Sequence, residues 1–314
     1  MSLIALSGAT GFVGSHTLEA ALAAGYQVRA LTRRKQPDVD GVQWVLGTLD
    51  DPAALAALVA GVDAVVHVAG LTNTPDPGEF EAANVAGTAN IIAAMHDAKV
   101  KRLVFVSSLA ARKPELSAYG ASKARAEALV EASGLDWTTV RPPGVYGPRD
   151  VDYLEMFRTA KAGFVPLPPG GASSIIHVHD LAELLVGLAG PTASLLENTV
   201  SRGAISKQTY EPDDGREGGW SHKELAQAIG RAVGKGRVLA PHLPKGLLQI
   251  AARIDGALRG ANAKLTPDRV GYMCHPNWVS RSDRRVPTAI WQPRIAGEEG
   301  LKATAAWYAQ QGWL

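Results

Sequence analysis

Leu3-Ile4-Ala5-Leu6-Ser7-Gly8-Ala9-Thr10-Gly11-Phe12-Val13-Gly14 is the stretch that decides the fold of this chain. Leu3–Leu6 is an unbroken apolar run, as in a strand buried on both faces of a parallel sheet. Glycines at Gly8, Gly11 and Gly14 follow at once, and an alanine-rich helical pattern runs over Val13–Ala24. Small residues let the backbone turn tightly and approach a pyrophosphate, while a helix N-terminus supplies unpaired N–H groups and partial positive charge. Gly14 lets the helix pack close on the sheet. A glycine-rich turn alone would say little. A strand before it and a helix after it make it a dinucleotide-binding turn, with Gly8, Thr10, Gly11, Phe12 and Val13 as the candidate phosphate cradle.

The same alternation continues outward. Gln27–Leu31, Val42–Leu46, Ala64–Val68, Leu103–Ser107 and Trp137–Val140 read as further strands, separated by helices at Pro52–Val59, Phe80–Ala98 and Tyr119–Ala132. This predicts an α/β fold with a doubly wound parallel sheet, the Rossmann arrangement, over residues 1–150. Right-handed crossovers put the C-terminal ends of the strands on one edge. After Pro142 the pattern loosens into Pro/Gly-rich loops. A strand at Ser173–Val178 and a helix at Asp180–Leu188 suggest that residues 173–200 return to the sheet. The rest of 151–314 is expected to form a smaller C-terminal substrate-binding lobe, with helices opening at the capping box Ser221-His222-Lys223-Glu224 and over Glu298–Gln310.

At the end of the second strand, an acid would bind an adenosine ribose 2′-hydroxyl. Thr32 stands there instead, followed by Arg33, Arg34 and Lys35. A guanidinium binds a 2′-phosphate bidentately, so the expected cofactor is NADP rather than NAD. The alternative is that this run is an ordinary solvated loop.

Tyr119 and Lys123 are spaced i, i+4 on one helix, hence on one face. A neighbouring ammonium favours a phenolate, so the pair can exchange a proton with an alcohol or carbonyl oxygen. Ser107 and Ser108 end the preceding strand on the ligand-binding edge.

With these motifs the chain resembles the extended short-chain dehydrogenase/reductases, the branch that includes NAD(P)-dependent sugar epimerases and dehydratases and many carbonyl reductases. The resemblance spans almost the whole chain: Thr10–Gly14, Val66–Gly70, Asn84–Thr88, Ser107-Ser108, Tyr119–Lys123, Arg141–Pro148, His177–Ala182 and Trp291–Arg294. It implies Tyr119 as general acid/base, Lys123 on the nicotinamide ribose and Ser108 orienting the substrate oxygen, with Ser107 as the lesser candidate. Asn84 would support a proton-relay water or serve structurally. Leu49, Ala69 and Gly70 would line the cofactor, and Pro142 and Val145 would face the nicotinamide. A homodimer through the helices carrying Asn84 and Tyr119 is also implied. Two departures stand out. Only a short segment separates Ser108 from Tyr119, with no acid pair after Ser108, which disfavours dehydration. Gly47-Thr48-Leu49 replaces the family's Gly-Asp-Leu, with Asp50 one place late.

Composition narrows the remaining classes. Lys+Arg is 32 against Asp+Glu 30, so neither nucleic acid nor a membrane is an expected partner. The apolar runs are too short for a transmembrane helix and nothing resembles a leader, so a cytoplasmic enzyme acting on a small molecule is the simplest expectation. One cysteine, Cys274, excludes an internal disulfide framework. His177 and His179 lack a third partner, so no metal is expected. Trp278 with Arg281, Arg284 and Arg285 is either an anion-binding cluster or a solvated loop. The expected function is NADP-dependent hydride transfer to or from a carbonyl or alcohol. The alternatives are a sugar epimerase with retained cofactor, or a non-catalytic NADP-binding sensor or scaffold.

Overall fold

The strands of the computed structural model run in chain order as β1 (Leu3–Ser7), β2 (Gln27–Thr32), β3 (Val42–Leu46), β4 (Ala64–His67), β5 (Arg102–Val106) and β6 (Asp136–Val140). The later ones are β7 (Gly144–Tyr146), β8 (Ala172–Ser173), β9 (Ile175–His177), β10 (Gln208–Tyr210), β11 (Trp220–Ser221) and β12 (Asn277–Trp278). The structure describes residues 2–190, 205–260 and 263–314. Seven strands form one parallel sheet in the order β10-β6-β5-β4-β1-β2-β3. The doubly wound parallel sheet predicted from the sequence is therefore what the chain builds, and the strand order reverses between β1 and β4, where open α/β sheets bind ligands.

Both faces of the sheet are covered, which explains the apolar strands. On one side α1 (Phe12–Ala23) packs with β-sheet residues such as Ile4, Leu6, Val66 and Val104. On the other, α2 (Pro52–Val59) lies with Leu31, Val65, Leu103 and Phe105. The crossover from β4 to β5 comprises a short helix α3 (Pro77–Phe80), a wide turn at Glu81–Ala86 and α4 (Gly87–Asp97). The sequence pattern predicts one regular helix over Phe80–Ala98, and the structure departs from it at this turn. The widened turn, closed by i→i+5 bonds, marks a functional position in many helices, and here it carries Asn84. α5 (Ala118–Ala132) follows β5 and carries Tyr119 and Lys123.

Beyond Pro142, α6 (Leu154–Lys161) and α7 (Val178–Ala189) are followed by α8 (His222–Ala232), α9 (Lys245–Arg259), α10 (Pro267–Met273) and α11 (Gly297–Gln310). α8 opens with the complete capping box at Ser221 and Glu224. The expected strand 173–178 does not join the main sheet. Ser174 breaks it: its buried hydroxyl donates to Asp213 (2.8 Å) and accepts from Ser280 N (3.1 Å). β8 before the break pairs with β11 and β12, and β9 after it pairs with β7. What returns to the main fold is α7, whose Leu181, Leu184 and Leu185 share the core of α1, and the edge strand β10, whose three residues carried no apolar pattern. Residues 191–200 of the expected return lie outside the described residues.

Candidate active site

Each glycine of the first turn has a distinct steric reason. Gly8 adopts φ +76°, and a Cβ there would lie 2.7 Å from the backbone nitrogen of Ala69. A Cβ on Gly14 would lie 1.9 Å from the Gly8 carbonyl oxygen, so α1 starts closer to β1 than any side chain allows. Gly11 is the N-cap of α1 and brings no capping side chain. The first N–H groups of α1 thus face the turn without a side-chain acceptor, the arrangement that receives an anion.

At the far end of the cradle, Thr32 Oγ1 donates to Arg34 O (2.7 Å) and accepts from Arg34 N (3.3 Å). The hydroxyl shapes the loop after β2 so that Arg33, Arg34 and Lys35 are exposed. Neither Arg33 nor Arg34 is ion-paired with a described residue. Leu49 turns its side chain onto Gly87 of α4 and its carbonyl accepts from Asn90 (2.9 Å).

Ser107, Ser108, Tyr119 and Lys123 converge at the C-terminal end of β5. Ser108 Oγ accepts from Ala110 N (3.2 Å). Burial pushes the Tyr119 phenol well above its ordinary range, and the nearby Ser108 hydroxyl opposes that shift. Lys123 is buried too. Its ammonium donates to Val106 O at 2.7 Å and lies 4.9 Å from the Phe105 ring centre. Burial pushes it down to about 8, against the favourable charge of Glu127. The lysine is thus held by a strand carbonyl. Ser107 Oγ is buried with no hydrogen-bond partner among the described residues. Pro142 is buried beside it through the bond from Leu109 N to Pro142 O (3.1 Å).

Asn84 is spent on protein contacts. Its amide donates to Leu71 O (3.0 Å) and Ser122 Oγ (2.9 Å), and its oxygen accepts from Leu71 N (2.7 Å). It clamps the loop after Gly70 to α5. Gly70 is required there, because a Cβ would lie 2.8 Å from Asn84 Oδ1 and 3.5 Å from Lys123 Nζ.

Sequence reasoning missed the buried chain beneath this clamp. Thr88 Oγ1 donates its only proton to Asn84 O (2.6 Å), so in its 3.1 Å contact with His67 it must accept. The proton of His67 therefore sits on Nε2, and Nδ1 accepts from Ser7 Oγ at 2.6 Å. Ser7 in turn accepts from Ala69 N (3.2 Å). Burial, with the charge of Lys123 adding to it, pushes His67 down to about 3, and the ring is neutral. The signal was present in Val66-His67-Val68: a histidine ending a fully buried strand needs two partners.

A second network holds the site from behind. Arg141, after β6, forks onto Glu127 of α5 (2.9 and 2.6 Å) and reaches the fully buried Glu211 (3.5 Å). Arg112 and Arg281 also pair with Glu211, at 3.1 and 3.4 Å. Arg281 is thereby tied into the frame, and Arg112 stacks over Trp278 at 5.5 Å. From the C-terminal lobe, Asp268 of α10 accepts from Ala118 N (2.5 Å) and Tyr119 N (3.3 Å). Tyr272 lies 5.9 Å from the Tyr119 ring, and Phe80 5.7 Å on another side. His177 and His179 meet edge to face, their ring centres 4.9 Å apart. Among the described residues no group of three or more His, Cys, Asp or Glu side chains is placed to hold a metal ion, and no helix is long and apolar enough to cross a membrane.

The glycine cradle, the uncapped start of α1 and the orphaned Ser107 hydroxyl fit a dinucleotide lying across the switch point. A family model described as NAD(P)H-binding matches residues 8–189, more than half of the chain. The chain belongs to that family, within the extended short-chain dehydrogenase/reductases, and is an NAD(P)-dependent enzyme. A ceramide reductase of Caulobacter vibrioides is 31% identical over 99% of this chain and 96% of its own length. A 4-hydroxy-2-methyl-3-oxo-4-farnesyl-3,4-dihydroquinoline-1-oxide ketoreductase of Stigmatella aurantiaca is 35% identical over 59% of this chain and 64% of its own. The solved structure of gox2253 superposes with a TM-score of 0.75 at 24% identity, covering 100% of this chain and 99% of that one.

Proposed function

We propose that the chain is an NADPH-dependent ketoreductase acting on a lipophilic carbonyl compound. The observation that carries this reading is the setting of Tyr119: a buried phenol near Ser108 within an apolar cluster of Phe80, Ala110, Leu71 and Tyr272. A phenol whose pKa burial has raised stays protonated at neutral pH, so it is poised to give a proton rather than take one. Ser108 and Tyr119 both donate to the substrate carbonyl oxygen, and Tyr119 passes its proton as negative charge grows there. NADPH, when bound, supplies the hydride. Lys123 would hold the ribose hydroxyls, with Glu127 favouring its charge. Ser107, whose hydroxyl has no hydrogen-bond partner among the described residues, would donate to the cofactor. Arg33 and Arg34 would take the 2′-phosphate. The apolar wall suits an acyl or isoprenoid chain better than a sugar nucleotide, and the two relatives named above carry ceramide and a farnesyl group in their names.

The test is consumption of NADPH with a panel of long-chain ketones. Stoichiometric loss of NADPH with alcohol formation supports the reading. A product formed on a nucleotide sugar with no net change in cofactor would replace it with the epimerase. Cofactor binding with no turnover on either class would favour the sensor or scaffold.

A further inference from the structure

The face of α9 turned away from the protein is apolar. Leu247, Ile250, Ile254 and Leu258 are 50%, 53%, 55% and 80% exposed. Spaced three, four and four residues apart, they form one stripe along the helix, and exposed Ala251 and Ala257 widen it. Scattered exposed apolar residues are normal, whereas four large ones in line on one helix mark a contact surface. The opposite face needs no further cover: Leu248 and Ala252 pack with Val270 of α10 and with Leu243, Leu265, Met273 and Cys274.

The charges of α9 are one-sided. Its only acid, Asp255, is turned inward, accepting from Lys264 N (2.8 Å) and Leu265 N (2.9 Å) and pairing with Arg259 (3.1 Å). Lys245 and Arg253 are exposed, and neither is ion-paired with a described residue. A second copy of this chain is a poor occupant, because a symmetric contact would set Arg253, on the flank of the stripe, against its own image. An interfacial helix combines an apolar face with basic side chains flanking it and no exposed acid. We propose that α9 lies in the surface of an anionic lipid bilayer, with the stripe among the acyl chains and Arg253 at the headgroups. The inner face of α9 rests on α10, which carries Tyr272 against Tyr119, so the bilayer would be separated from the reactive phenol by one helix. The whole-chain charge is balanced and points to no membrane partner; the asymmetry belongs to one helix and vanishes in that sum. The contact needs neither cofactor nor substrate, so it is independent of the ketoreductase reading.

The test is flotation of the full chain with vesicles of phosphatidylcholine alone or mixed with phosphatidylglycerol. The wild type is expected to float with the mixed vesicles, with affinity rising about fivefold per cation engaged and falling as salt is added. Ile250→Glu/Ile254→Glu should lower the bound-to-free ratio at least about tenfold, with an unchanged circular-dichroism melt and NADPH affinity. Arg253→Gln should lower the preference for phosphatidylglycerol. No flotation by the wild type, or equal flotation by the glutamate variant, overturns the proposal. So does light scattering that finds a dimer which the glutamate variant converts to monomer, since the stripe is then covered by a second copy.

Discussion

The carboxylate of Asp268 accepts a hydrogen bond from the backbone nitrogen of Tyr119 at 3.3 Å, across 149 positions of sequence. Ser117 caps the same helix from within, through Gly120 N at 2.9 Å. The C-terminal lobe thus supplies an anion at the positive end of the helix that carries the phenol, and it positions Tyr119 through the backbone.

Asp268→Ala leaves two N–H groups of α5 without their carboxylate. Loss of such a capping acceptor costs about 0.5–2 kcal/mol. The expected result is a lower denaturation midpoint of that size, read in urea, with Asp268→Asn recovering part of it. No change in midpoint would mean that Ser117 alone suffices.

Tyr119→Phe removes the phenol oxygen and keeps the ring between Phe80 and Tyr272. Ketone reduction is expected to fall by about 10²–10⁴-fold, the usual contribution of a positioned acid. NADPH affinity by fluorescence titration should be unchanged, because the ring packing survives.

Arg33→Ala/Arg34→Ala tests the cofactor. A charge-assisted hydrogen bond contributes about 1.5–3 kcal/mol, so NADPH should bind at least about tenfold more weakly while NADH binding stays constant. Equal binding of the two cofactors by the wild type would refute the role given to these arginines.

His67→Gln tests the buried chain by pH. The folded ring titrates at about 3, against an ordinary value of 6.5. Its contribution is whole above pH 6.5 and is lost as pH falls toward 3, because the unfolded chain then binds a proton that the native state refuses. For one proton the loss is about 1.4 kcal/mol per pH unit within that window. Glutamine can still donate to Thr88 and accept from Ser7 but does not titrate. The variant should show a shallower fall in stability between pH 6 and pH 4 (assay values, about one unit either side of 5). Parallel curves would show that His67 is not the group concerned.

Gly14→Ala sets a methyl 1.9 Å from the Gly8 carbonyl oxygen, where a Cβ on Gly11 would stand 3.3 Å away. Overpacking of this kind costs about 1–3 kcal/mol or more. Gly14→Ala should therefore lower the melting temperature, and Gly11→Ala should leave it nearly unchanged while weakening cofactor binding.

The parallel sheet and the glycine turn are legible in the primary structure, as is the proximity of Tyr119 to Lys123, because these rest on local features: unbroken apolar strands, glycines at a strand-to-helix junction, and an i, i+4 pair. What surrounds them is fixed by long-range contacts. The strand expected at 173–178 breaks where Ser174 bonds Asp213 and Ser280. The three residues of β10 find their place only beside β6. Lys123 turns to Val106, Asp268 reaches Tyr119, and Ser7, His67, Thr88 and Asn84 join into one chain of bonds. Each depends on groups far apart in the chain, and a buried polar atom settles on whichever partner the fold brings within about 3 Å. Local pattern carries no record of that choice.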